Sequence, residues 1–251
     1  MKRRALLHTA GALTLPTLRS AQATAADAVG QKVFRWAFVA AETGFDPAQI
    51  SDLYSNYVVS LIYESPLQFD FLARPVKLIP RTAAALPEIA ADFRSVTVRL
   101  QPGILFQDHP AFKGRPRELV AADYVYGVKR LADPRWKSPL WTSLDSFGII
   151  GLADLRKRAL VPGSSFDYDT PIDGLEVLDR HVFRVRLAAP SPRLSETFTD
   201  ARYWAGIARE VVEAAPDETM GRPVGTGPFR LAAWKRSSRI VLERNPGYRD
   251  E

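Results

Sequence analysis

The chain has 251 residues, no cysteine, and a formal net charge of +6 from 34 basic and 28 acidic side chains. Without cysteine there is no disulfide and no lipid-modified N-terminal cysteine. Four of the basic residues (Lys2, Arg3, Arg4 and Arg19) lie in the first twenty positions, where there is no acid, so the remaining charges nearly balance and imply no nucleic-acid-binding surface.

Lys2, Arg3 and Arg4 precede a mostly apolar run, Ala5 to Leu18, interrupted by His8 and Pro16. Ala21-Gln22-Ala23 follows as a small-x-small cleavage motif, with Ala23-Thr24-Ala25 as a second choice. This order predicts a signal peptide over residues 1–25 and export by the Sec or twin-arginine route. The apolar run is too short and interrupted to span a bilayer, and no later segment is long enough either.

Val33 to Ala40 (VFRWAFVA) reads as a buried first strand, followed by a loop through Glu42, Thr43, Phe45, Asp46 and Pro47. Ser51 to Tyr63 has helical periodicity, with Ser51 as its predicted N-cap and Leu53, Tyr54, Tyr57, Val58, Leu61 and Ile62 near one face. Pro66 stops it, and Leu78 to Pro87 reads as a proline-bounded connector. Ser95 to Leu100 alternates cleanly and predicts a half-buried strand; Ile104 to Phe106 opens another. A polar loop from Asp108 to Glu118 leads into a predicted helix, Val120 to Leu131, with Asp123 near its positive end. Asp133-Pro134 ends that helix, and Trp136 to Arg158 is weakly helical. A loop over residues 161–171 precedes a hairpin, Leu175 to Leu178 and Val182 to Leu187. Short helices are predicted near Leu194 to Phe198 and Ala208 to Ala215. The chain closes on Gly225-Thr226-Gly227-Pro228, an alternating strand Phe229 to Trp234, a basic turn, a strand Ile240 to Glu243 and Asn245-Pro246-Gly247. Strands and helices mix without a regular βαβ beat.

Catalytic constellations are not evident. His109 sits in a proline-rich loop and His181 in a hairpin turn, without the paired spacing of metal ligands. No Gly-x-Ser-x-Gly elbow occurs. Gly225-Thr226-Gly227 lacks the third glycine or Lys-Thr of a phosphate loop, so its glycines are expected to relieve backbone crowding at a strand entry. Cofactor, metal and enzymatic turnover are therefore not expected.

Four blocks in order resemble the family 5 extracellular solute-binding proteins, the binding subunits of ABC importers. They are the opening strand, Asp46-Pro47 and Tyr63-Glu64; SVTVRLQPGILFQDHPAFKGRPRELVAADYVYGVKRLADP; IDGLEVLDRHVFRVRLAAPSP; and GTGPF through LERNPGY. The sequence departs from the family pattern where His109-Pro110 follows Asp108 and where Tyr124 replaces the usual valine. The resemblance implies an α/β fold of the type-II periplasmic-binding kind, with this chain as its N-terminal part and the second lobe lying beyond it. It implies a first lobe with a core over residues 29–57 and 174–251 and an inserted subdomain over 58–173. It also implies a periplasmic protein, monomeric at full length, that passes a small peptide or similar solute to an ABC permease of the inner membrane. Ligand contacts are then expected from Ala41, Glu42, Thr43 and Phe45, and from Ser138 and Trp141. The alternative is an interaction or chaperone-like module outside transport.

Overall fold

The computed structural model describes residues 32–249; the predicted signal peptide lies outside the described residues. Contacts divide the chain into Met1–Ala37 and Phe38–Glu251. In the first unit, residues 32–37 form no helix or strand and are exposed. The expected buried strand over Val33–Ala40 does not form: Val33, Phe34 and Val39 are all exposed, and no strand of the described residues pairs with it. An apolar run supplies the composition of a strand, but the ladder also needs a neighbour for its N–H and C=O groups.

The second unit opens with helix α1, Leu53–Ile62. Its N-cap is Asp52 rather than the expected Ser51, because Asp52 Oδ1 accepts from the Ser55 N–H at 2.8 Å. The buried face is Ser55, Val58, Val59 and Ile62, while Leu53, Tyr57 and Leu61 are exposed. Val58 and Ile62 of the expected face are thus buried, and tertiary packing turns the helix so that Ser55 and Val59 join them. Strands β1 (Leu67–Phe69) and β2 (Leu78–Pro80) then pair as a hairpin, with Leu67 opposite Pro80. The expected connector over Leu78–Pro87 thus begins with β2, a strand that the sequence does not announce because the long loop has none of the two-residue turn signals.

A four-stranded antiparallel sheet forms the centre, ordered β3-β4-β6-β5, from Glu88–Ile89, Ser95–Arg99, Val182–Arg186 and Leu175–Asp179. Val96 pairs with Val185 and Val98 with Phe183, and all four are fully buried. Period-two alternation thus puts one face of the sheet into the core. The predicted strand at Ile104–Phe106 reduces to a single bridge, Leu105 to Glu118.

Helix α2, Ala121–Ala132, covers that face. Its start is fixed by Asp123, whose Oδ2 accepts from the Val120 N–H at 2.8 Å. Tyr124 stacks on Phe183 with centroids 5.4 Å apart, and its hydroxyl lies 2.6 Å from Thr82 Oγ1. A valine here would fill less of this space and make neither contact. The weakly helical stretch beyond α2 resolves into a short 3-10 turn at Pro134–Trp136 and helices α3 (Trp141–Asp145) and α4 (Leu152–Ala159). Helices α5 (Leu194–Thr197) and α6 (Arg209–Ala214) follow. Trp204 and Phe198, with centroids 4.3 Å apart, close the far side of the core.

The last elements are β7, Phe229–Lys235, and β8, Arg239–Arg244, a hairpin with a bulge between Leu231 and Ala233. The glycine pair before β7 lies against the end of α1, where the Gly227 N–H donates to Ile62 O at 2.8 Å. A Cβ on Gly225 would overlap Ile62 O, and one on Gly227 would sit 2.5 Å from Leu61 O. Backbone approaches backbone here, so no side-chain rearrangement relieves the contact. Gly225→Ala should therefore lower stability by about 2 kcal/mol or more. The check is urea unfolding, where the midpoint falls at unchanged slope.

Candidate ligand-binding site

The segment after residue 40 is held by a buried ion pair. Asp46 and Arg130 are 1% and 2% exposed at their side chains. Arg130 Nη1 donates to Asp46 Oδ1 at 2.9 Å and Nη2 to Oδ2 at 2.8 Å, a bidentate pair. The same carboxylate accepts from the Ala48 N–H at 3.0 Å and from Gln49 Nε2 at 2.9 Å. The guanidinium also lies 4.2 Å from the Trp136 ring centroid. Burial pushes the Asp46 carboxyl up, but the charge and hydrogen bonds of Arg130 outweigh it and hold the group below the ordinary aspartate range.

This anchor presents residues 41–45 to the β7–β8 hairpin. Glu42 is buried, and its Oε1 accepts from Trp234 Nε1 at 2.6 Å and from the Ser237 N–H at 3.0 Å. Burial raises its pKa, yet those bonds and the nearby Arg236 charge leave it below the usual glutamate value. Thr43 Oγ1 donates to Asp52 Oδ2 at 2.5 Å, its N–H donates to Ser55 Oγ at 3.0 Å, and its carbonyl accepts from Arg236 Nη2 at 3.1 Å. Ala41 is exposed. Phe45 has no exposed surface and packs on Trp234, with ring centroids 4.8 Å apart.

Ser138 and Trp141 form a second group, after α2. Ser138 is buried, with its Oγ accepting from the Leu140 N–H at 3.3 Å. Trp141 opens α3, half-buried, with the Arg156 guanidinium 4.8 Å from its ring centroid. No hydrogen bond or ring contact of the described residues joins this group to residues 41–45. Arg130 lies between the segments that carry them, bonded to Asp46 on one side and stacked on Trp136 on the other. Sequence reasoning missed Trp234 and Ser237 as partners of Glu42, because a contact spanning almost two hundred residues leaves no local pattern.

A cleft of about 610 Å³ opens beside β7, lined in part by Gln107, His109, Arg222, Arg230, Trp234 and Asn245. None of the six expected ligand contacts lines it. His109 Nδ1 accepts from the Ala111 N–H at 3.2 Å, and burial together with the Arg222 charge pushes the imidazole pKa down. His181 Nε2 lies 3.0 Å from Glu118 Oε1. His109 is thus bonded within its own loop, and His181 is tied to a carboxylate distant in sequence. No group of three metal-ligating side chains occurs among the described residues.

Asp46→Asn would leave Arg130 charged and buried, a loss of about 3–5 kcal/mol. Asp46→Asn with Arg130→Met should recover much of it. Because the folded-state pKa of Asp46 lies below its ordinary 3.8, its contribution is complete at neutral pH and is lost as pH falls through the folded value, below about 4. Chemical unfolding across pH 2–7 checks this: wild type should lose stability in that acid range more steeply than Asp46→Asn.

Comparison with known proteins places these features in a family. The model of bacterial extracellular solute-binding proteins, family 5 Middle, matches residues 77–251. Di/tripeptide-binding protein 2 of Pseudomonas aeruginosa (strain UCBPP-PA14) is 25% identical over 227 residues, covering 83% of this chain and 37% of that protein. The periplasmic oligopeptide-binding protein OppA of Salmonella typhimurium (strain LT2) is 30% identical over 161 residues, 63% of this chain and 27% of the relative. The structure of Haemophilus influenzae OppA in complex with RPPGFSPFR aligns with a TM-score of 0.66 at 25% identity, over 82% of this chain and 36% of that one. The chain thus spans about a third of the length of the proteins it matches. Its fold is α/β of the type-II periplasmic-binding-protein kind. It belongs to the bacterial extracellular solute-binding proteins, family 5.

Proposed function

We propose that the chain takes part in capturing a small peptide or similar solute in the periplasm and presenting it to an ABC permease, without chemistry on the ligand. The observation that carries this reading is the family match over residues 77–251, joined to relatives named as peptide-binding proteins. Ala41, Glu42, Thr43 and Phe45 would form one side of the ligand surface, and Ser138 and Trp141 the other. Within the reading, a core of residues 29–57 and 174–251 carries residues 58–173 as an inserted subdomain that shares the central sheet.

Glu42 has a specific role in it. Trp234 Nε1 and the Ser237 N–H both donate to Oε1, and the backbone N–H of Glu42 itself also supports the carboxylate. An ionised carboxylate oriented in this way suits a ligand ammonium. Trp141, its ring already stacked by Arg156, offers a face to an apolar or extended backbone segment. Phe45 would act from beneath, by supporting Trp234.

The test is a thermal-unfolding titration with tri-alanine and tri-lysine. A ligand that binds only the folded chain stabilises it by about 2.7 kcal/mol at a hundredfold excess over Kd. Glu42→Gln should weaken the affinity about tenfold, with Trp141→Ala acting in the same direction. The wild-type affinity should fall as pH drops below the ordinary glutamate value of 4.5. Unchanged melting with both peptides at millimolar concentration would remove peptide capture as the function of this chain.

A further inference from the structure

The loop joining β1 and β2 displays apolar side chains to solvent on a fixed turn. Phe71 is 88% exposed, Leu72 82% and Val76 69%, with Phe69 at 48% beside them. Part of the backbone beneath them is held by hydrogen bonds. Asp70 Oδ1 accepts from the N–H groups of Leu72 at 2.9 Å and Ala73 at 3.2 Å. The Asp70 N–H donates to Lys77 O at 2.8 Å, and Arg74 Nη1 donates to Ala73 O at 2.8 Å. The base of the hairpin is anchored as well: Leu67 has no exposed surface and its N–H donates to Phe198 O at 3.0 Å. Four large apolar side chains on such a turn are thus held out by structure.

The charge around the tip is net positive. Arg74 and Lys77 are exposed, and neither has a carboxylate partner among the described residues. Asp70 is the sole acid between Pro66 and Arg81, and its Oδ1 is occupied by the turn. Apolar tip and cationic flank together match a surface that is apolar within and anionic at its rim. The tip is also too small for a stable protein partner, which needs roughly 800 Å² on each side. A few side chains suffice for shallow, reversible insertion between headgroups.

We propose that the β1–β2 hairpin tip is a membrane-contacting element. It seats Phe71 and Leu72 in the interfacial layer of a bilayer containing anionic phospholipid, with Arg74 and Lys77 at the phosphates. This inference is independent of ligand capture and stands or falls separately. Such contact would hold the protein at the plane of the membrane, reducing its search for anything embedded there to two dimensions.

The chain has no cysteine, so Leu72→Cys provides a single site for an environment-sensitive dye. The labelled full-length protein is mixed with vesicles of phosphatidylethanolamine and phosphatidylglycerol, or of phosphatidylcholine alone. The expected result is a blue shift with the anionic vesicles that weakens with added salt and is much smaller with phosphatidylcholine. In that labelled background, Phe71→Ser should reduce vesicle affinity about tenfold and Lys77→Ala about fivefold. Both positions are exposed, so circular dichroism should be unchanged. Dye emission that ignores anionic vesicles would overturn the proposal. So would a shift that appears without vesicles as protein concentration rises and disappears in Phe71→Ser, since that result assigns the tip to a second copy of the chain.

Discussion

The Asp46–Arg130 pair is the constraint on which the candidate site depends. It joins a loop before α1 to the last turn of the helix covering the sheet, and it does so where neither partner meets water. A lone buried charge of either sign would be costly, so the two groups require each other, and the bidentate geometry leaves little freedom in how the loop lies. The position of Glu42 follows, because only a few bonds separate it from the anchor. The position of Trp136 follows too, since the guanidinium lies against its ring. One interaction therefore ties the segment that carries the first group to Trp136, just ahead of the second.

A second buried carboxylate works in a comparable way at the other end of α1. Glu64 has no exposed side-chain surface and meets Arg81 at 3.2 Å and Arg249 at 2.8 Å. Its Oε2 also accepts from Thr226 Oγ1 at 2.9 Å. The segments after α1, after β2 and after β8 converge on it, together with the glycine turn that enters β7. Thr226 lies between the two glycines whose backbones press on α1, so Gly-Thr-Gly is one device: the glycines permit the approach, and the threonine supplies the hydrogen bond that the approach makes possible.

Much of the fold was legible from residues alone, and the exceptions share a cause. The alternation of Ser95 to Leu100 and of Val182 to Leu187 identified both central strands, because each carries its buried face in its own sequence. The period of Val120 to Leu131 identified α2 for the same reason. The strand expected at Val33 to Ala40 did not form, since an apolar run says nothing about whether a partner lies beside it. The N-cap moved from Ser51 to Asp52 because two adjacent residues were both capable and tertiary packing chose the register. Hairpin β1–β2 went unseen because its loop has no turn signature. In the site, the residues singled out by resemblance are present as two groups, but the bonds that fix them run to Arg130, Trp234 and Ser237. No local pattern announces such partners.

The pinned geometry of residues 41–45 bears on how a ligand surface would behave here. Glu42 and Thr43 are tied to Asp52, Ser55, Trp234, Arg236 and Ser237 before any ligand arrives, so little conformational entropy remains for binding to remove. Such a surface favours one orientation of a charged group and adapts poorly to others. The second group is built differently. Trp141 stands at the start of a five-residue helix, stacked on one side by a single Arg156, and a helix that short has few internal hydrogen bonds to hold it. If one site uses both, the carboxylate of Glu42 sets the position of the ligand and the indole of Trp141 adjusts to what the ligand carries. Selectivity would then be strict for the charged end of a ligand and permissive for its side chains, as the unequal tethering of the two groups requires.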